Sequence, residues 1–267
     1  MKRNRLVGAM VLGGMVMVAA PAMADTCAQL AGQGLTHDAL KTALQGVVPG
    51  NGGTDTPSGG LDFPMWLTLV DDSGRVCEVV NSLGSGQSAL RDIWLGSRVI
   101  SAQKASTANA FSTGLLALST ANLHKAVQPG GSLYGLQHSN PVDPTVAYEG
   151  DSGKFGSVKD PLEKERGGGI NVFGGGLALY NNSHVKVGAI GVSGDTSCTD
   201  HVVAWKVREA LASGAFQVAN LPGGVSSVGN DALIQGESAG AFPGGFNHPT
   251  CLNNPTDAND GGSIEGN

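Results

Sequence analysis

The sequence lacks several features that would have fixed a function class at once. It has no run of basic residues. It has no apolar stretch beyond its start that could cross a membrane. It has no Cys-x-x-Cys or Cys/His spacing of the kind that binds zinc. Few groups are charged, only 14 % of residues, and acids outnumber bases, 22 to 16. An acidic chain without a basic patch argues against nucleic acid and anionic membranes as partners. Nor does any pair of side chains announce a nucleophile with its base, so an enzymatic activity would have to be shown by its turnover products.

The start is a targeting pattern. Lys2, Arg3 and Arg5 precede the apolar run Leu6 to Ala20, and Ala22-Met23-Ala24 supplies small residues for cleavage. Residues 1–24 are therefore predicted to be a signal peptide. The run is shorter than the roughly 20 residues of a membrane helix. Asn4 splits the arginines, so a twin-arginine signal is not indicated. Removing the leader takes three basic residues and no acid, leaving 13 bases against 22 acids and a net charge of −9. The mature chain is expected in the periplasm or outside the cell. It is long enough for one well-cored domain with extensions.

What is present in quantity is glycine, 42 residues, which predicts many turns and close backbone approaches. The four cysteines, Cys27, Cys77, Cys198 and Cys251, all follow the leader, and an even number in an oxidising compartment suggests two disulfides. Three pairings are possible. Cys27–Cys77 with Cys198–Cys251 is preferred, because each bond would tie a terminal segment to a core element.

Along the chain, Thr36 to Val48 predicts a capped helix with Leu40, Ala43, Leu44 and Val47 on one face. Pro49 to Gly60 reads as a linker. Met65–Val70 and Arg75–Asn81 predict a β-hairpin around Asp71-Asp72-Ser73-Gly74. Ser97 to Ser119 predicts a second helical region, rich in alanine, with Gly114 as a kink or stop. Its Arg98 and Lys104 are expected to be solvated or paired with carbonyls, and a role in holding carboxylates is the lesser reading. Residues 127–167 form a long irregular insertion. Ile170–Phe173 and Leu177–Tyr180 are predicted as a strand pair, followed by Val185–Val192. Thr199 to Ser213 predicts a third helix capped by Ser197, with Trp205 in the core. Residues 25–215 make the domain, and 216–267 a wrapping extension pinned by Cys251 and frayed past Asn253.

Three motifs need weighing. Gly84-Ser85-Gly86 resembles a dinucleotide loop, but no acid lies about twenty residues on, so it reads as a turn. Gly236-Glu237-Ser238-Ala239-Gly240 has the spacing of a hydrolase nucleophile elbow, with Gly174-Gly175-Gly176 as a conceivable oxyanion loop. No acid and histidine follow on later elements, so that reading fails. The turn from Val192 to Ser197 has a third use. It leads a strand into a helix N-terminus, where free N–H groups favour a carboxylate. His201 sits one turn in. A plain capped helix with an ordinary histidine is the competing reading. Tyr134 and His138 lie on the insertion as further possible ligands.

Gly168-Gly169-Ile170-Asn171, then Val187-Gly188-Ala189-Ile190-Gly191-Val192-Ser193-Gly194, then Asp200 opening a helix, resembles the GlcG/HbpS-like haem-binding family. Leu69-Val70-Asp71 with Gly74-Arg75 resembles its first hairpin. Lys104 to Phe111 resembles its long helix, and Ser97 to Ser112 looks like an exported branch. Asn171 stands where a proline is common. The resemblance covers Leu35 to Ser213 and implies an α/β (α+β), profilin-like fold, with an antiparallel sheet flanked by helices, usually assembled into homo-oligomers. It also implies binding of haem or a related tetrapyrrole, for storage, sensing or delivery. The site this predicts is a cleft between the small-residue helix and the Gly168/Gly191 region. The helix N-terminus at Ser197 to Asp200 would take a propionate carboxylate, with Ser193, Gly191 and Gly168 among the binding residues; His201 would be the first candidate for iron, and Tyr134 and His138 the second. A haem-degrading or small-acid enzyme, and an accessory partner of an exported oxidoreductase, are the alternatives.

Overall fold

The structure is a computed structural model that describes residues 25–48, 60–226, 230–236, 245–251 and 263–265. The leader, most of the linker and the Glu237–Gly240 part of the elbow-like motif lie outside the described residues.

Asp25 starts α1 (Thr26–Gly32) by accepting from Cys27 N at 3.1 Å. Thr36 caps α2 (His37–Val47) as its position predicts, accepting from Ala39 N, with Leu40 and Leu44 buried one turn apart. The hairpin is β1 (Trp66–Asp71) and β2 (Val76–Asn81). Its turn is held by Asp71, whose Oδ1 accepts from Ser73 N and Arg75 N, each at 2.9 Å.

α3 (Gly96–Phe111) ends eight residues before the expected Ser119. Ser112 is extended, and its hydroxyl accepts from Leu118 N at 3.0 Å, closing a loop over Gly114. The insertion holds α4 (Leu136–Ser139) and α5 (Pro144–Ala147). Then come β3 (Gly176–Tyr180), β4 (Lys186–Ser193) and α6 (Ser197–Ala210). A small parallel pair is formed by β5 (Leu233–Gln235) and β6 (Ser263–Glu265).

The main sheet runs β2-β1-β4-β3, antiparallel throughout. Alternation sends Leu67, Leu69, Ile190 and Val192 to one face, where they meet Leu40, Leu44, Val203 and Val207 of α2 and α6. Trp66, Val70, Val79 and Ala189 face the other way, onto Ala102, Ala105 and Ala108 of α3. Helices cover both faces, so all six residues of β1 are buried. This is the α/β sandwich that the resemblance implies.

The packing of α3 is unusually close, and small residues allow it. A Cβ added at Gly191 would collide with Ser101 O and Ala105 N, and one at Gly176 with Lys104 O. Thr68 and Ser101 complete the contact through their hydroxyls at 2.7 Å. The expected cleft between α3 and the Gly191 strand is therefore filled by the helix backbone itself.

Other expectations change for local reasons. Ile170–Phe173 forms no strand. Its N–H groups go to Asn140 O at 3.0 Å and to Thr107 Oγ1 at 3.0 Å, rather than to a neighbouring strand. Arg98 is buried, paired with Asp160 of the insertion and donating to Ala147 O at 3.0 Å. Together with buried Ala147 and Leu162, this docks the insertion on the α3 side. The disulfides are Cys27–Cys77 and Cys198–Cys251, the preferred pairing. The segment after Ala215 enters the core through Phe216, Leu233 and Ile234, and Arg208 reaches it through Asp231 at 2.7 and 2.9 Å.

The close approach is testable. Gly191→Ala is expected to lower stability by about 2–3 kcal/mol, because the clash is with backbone. Gly46→Ala, at an exposed helical position with nothing within 4 Å, is expected to raise it by about 0.5–1 kcal/mol. Urea unfolding of the two variants reads both signs.

Candidate functional site

α6 begins at Ser197, the residue expected to cap it. Thr196 is the cap, accepting from Thr199 N at 3.3 Å, which leaves the Ser197 hydroxyl for other work. The N–H groups of the preceding turn are already used. Asp200 Oδ1 accepts from Gly194 N at 3.1 Å and Asp195 N at 2.9 Å. Asp195 in turn accepts from Leu61 N at 2.8 and 2.9 Å. The expected carboxylate seat is thus occupied by the chain's own carboxylates.

Asp200 Oδ2 also meets Lys104 Nζ at 2.5 Å, and that ammonium donates to Val192 O at 3.0 Å. Burial pushes the Asp200 carboxyl up, to about 6, against the pull of Lys104; burial likewise lowers Lys104. The two side chains form an ion pair almost without solvent exposure. The carboxylates that α3 holds are therefore the protein's own.

His201 is fully buried, tilted against Trp205, and its Nε2 accepts from Leu233 N at 3.2 Å. That nitrogen is the lone pair a metal would need. Ser193 and Gly191 are buried residues of β4, with Gly191 against α3 and the strand's end bonded to Asp200 through Gly194 N. Gly168 is exposed and bridges to Val142. Tyr134 and His138 are exposed on the insertion. The structure gathers Asp200, His201, Ser193 and Gly191 into one interior region, but it opens no ligand surface onto them among the described residues.

An open site lies next door, where the C-terminal segment crosses the start of α6. His248 N donates to Ile234 O and Gly236 N to His248 O, at 2.8 and 2.9 Å, so this segment meets β5 in a single parallel bridge at Gln235. Lys125 N donates to Asn247 O at 3.0 Å, and Cys251 is bonded to Cys198. His248 Nδ1 donates to Pro249 O at 2.8 Å, since a carbonyl only accepts. Its Nε2 therefore accepts from Ser197 Oγ at 2.7 Å, while Ser197 Oγ accepts from Gly174 N at 2.7 Å. Burial drives the His248 pKa down to about 4, so the ring is neutral.

His124 faces the same place, its ring centroid 5.6 Å from that of His248. The two histidines, Gln128, Pro129, Asn247 and Pro249 line a pocket of about 370 Å³. The His124 ring has no hydrogen-bond partner among the described residues. Burial, and then the charge of Lys125, hold its pKa below the usual imidazole value. A neutral, half-buried imidazole with an available lone pair can ligate a metal or haem iron. Sequence reasoning passed over His124. It sits in Ala121-Asn122-Leu123-His124-Lys125 with no motif around it, and only the return of residues 245–251 makes it part of a pocket.

Residues 76–209 match the family described as "Haem degrading protein HbpS-like". The chain belongs to the HbpS-like family. The matched span runs from β2 through α6, so it contains His124, Asp200 and His201, whereas His248 lies beyond it. This HbpS-like chain is 31% identical over 144 residues to an uncharacterised 15.0 kDa protein in the dhaT–dhaS intergenic region of Citrobacter freundii, covering 54% of this chain and 73% of that one. Among solved structures it is similar to a PduOC:heme complex, with 22% identity, TM-score 0.42, and coverage of 65% of this chain and 90% of that one. It is also similar to the Klebsiella pneumoniae protein ORFY, with 22% identity, TM-score 0.43, and coverage of 66% and 89%. For HbpS the figures are 17%, 0.39, 66% and 89%.

Two outcomes check this arrangement. Lys104→Met is expected to cost about 3–5 kcal/mol, since it strands a buried carboxylate, and adding Asp200→Asn should recover part of that loss in thermal unfolding. His248 resists protonation until about pH 4, whereas the unfolded chain takes that proton near 6.5. Acid in this window stabilises only the unfolded state. The stability advantage of the protein over His248→Gln should therefore shrink by about 3 kcal/mol as pH falls from 6.5 to 4.

Proposed function

We propose that this is an exported haem-binding protein, acting in the periplasm or outside the cell, whose iron ligand is His124. The observation that carries the reading is the free, neutral His124 imidazole at the edge of a pocket, in a chain whose family is described by haem. His201 fits that role less well, because its Nε2 is committed to Leu233 N inside the core. When bound, haem would supply a redox-active iron. His124 would hold that iron, Pro129 and Pro249 would offer apolar walls, and His248, fixed by Ser197, would shape the floor. At about 370 Å³ the pocket lies low in the range of small-molecule sites (roughly 300–1,000 Å³), so a macrocycle would be only partly enclosed. Export is supported by the leader pattern of residues 1–24 and by two disulfides. Homo-oligomer assembly belongs to the same proposal, and size-exclusion with light scattering reads it.

Titration of the mature protein with haem should produce a shifted Soret band. His124→Ala should weaken binding at least about tenfold, or about 1.4 kcal/mol, and change the band. His201→Ala should lower the unfolding temperature while keeping the band. An unaltered Soret spectrum and affinity in His124→Ala would overturn the assignment.

A further inference from the structure

A second group of ligand-type side chains lies far from this pocket. Thr120 N bonds to Gly176 O, which puts the haem-side segment at the β3 edge of the sheet. At the opposite edge strand, β2, three elements bring His37, Glu78 and Glu163 together. His37 is the first residue of α2, Glu78 lies in β2, and Glu163 belongs to the insertion. Lys164 N donates to Val76 O and Val76 N to Glu165 O, at 2.7 and 2.9 Å, so the insertion pairs with β2 and holds Glu163 there.

His37 Nδ1, one Glu78 oxygen and one Glu163 oxygen all lie within 4.8 Å of one another. His37 Nδ1 and Glu78 Oε2 are 3.3 Å apart. Bonds of about 2.0–2.2 Å to a tetrahedral ion place ligand atoms about 3.3–3.6 Å from each other. In these residues His37 Nδ1 and Glu163 Oε1 are shielded from solvent and make no hydrogen bond. Two buried-edge carboxylates beside one imidazole repel each other unless a positive charge joins them.

The geometry points to a divalent cation site formed by His37, Glu78 and Glu163, with one nitrogen and two oxygen ligands. This donor set suits zinc and neighbouring first-row ions. The His37 and Glu78 side chains are 13% and 21% exposed, so solvent can fill a further coordination position. The ion would pin the insertion to α2 and to the sheet edge. The inference does not depend on haem.

Tag-free mature protein stripped with EDTA and titrated with Zn²⁺ tests it by calorimetry and thermal unfolding. One Zn²⁺ per chain and a higher midpoint are expected. His37→Ala and Glu163→Gln should each weaken Zn²⁺ binding at least about tenfold while leaving the haem titration unchanged. His124→Ala should bind Zn²⁺ as the unaltered protein does. Zn²⁺ binding equally tight in His37→Ala and Glu163→Gln would defeat the proposal. So would a protein that Zn²⁺ does not stabilise while Glu163→Gln raises its metal-free midpoint, since the carboxylates would then be sharing a proton.

Discussion

The Lys104–Asp200 pair, with Val192 O as its third member, ties the two helical layers to the sheet. Lys104 comes from α3 on one face and Asp200 from α6 on the other, and they meet at the end of β4. An ion pair this deep is costly to desolvate, so its value lies in specificity as much as in stability. It works only because α3 lies almost on the backbone of β4. Gly191 and Gly176 remove the side chains that would hold the helix away, and the alanines of α3 complete the contact. The glycine-rich signature is therefore a packing device first. Asp200 then uses its second oxygen to close the turn before α6, so the same residue sets where that helix starts.

That double use explains what the sequence discloses and what it hides. The hairpin, the cap at Thr36, the disulfide pairing and the sheet with its helices follow from alternation, turn chemistry and cysteine placement, all local or countable signals. The strand-to-helix turn is also legible, but its occupant is not. Free N–H groups at a helix start look alike whether a ligand or Asp200 takes them, and Asp200 is five residues from its nearest partner. The fates of Arg98 and Lys104 are hidden for the same reason. Their partners are 62 and 96 residues away, beyond any local pattern.

His124 shows the limit most clearly. Nothing in its neighbours marks it. Its pocket exists because residues 245–251 return and pair beside β5, while Asn122 imitates a strand by accepting from Ile234 N and donating to Ala232 O. Local sequence favoured His201 instead, being one turn into a helix at a glycine-rich corner. Burial is what separates the two: the core takes up the Nε2 of His201, while the His124 ring stays at an opening.

The additions to the sandwich then acquire a common logic. The C-terminal extension is anchored by Cys198–Cys251 and Arg208–Asp231, and it completes the pocket at the β3 side. The insertion is anchored by Arg98–Asp160 and by its pairing with Val76, and it completes the His37–Glu78–Glu163 cluster at the β2 side. In each case a buried cation from a core helix takes a carboxylate from the added segment. Each segment then carries a ligand-type residue to a sheet edge that the sandwich alone leaves incomplete. A core this tightly packed has little room for a ligand between its layers. Chemistry on such a scaffold belongs at its edges, where added chain supplies both the wall and the functional group.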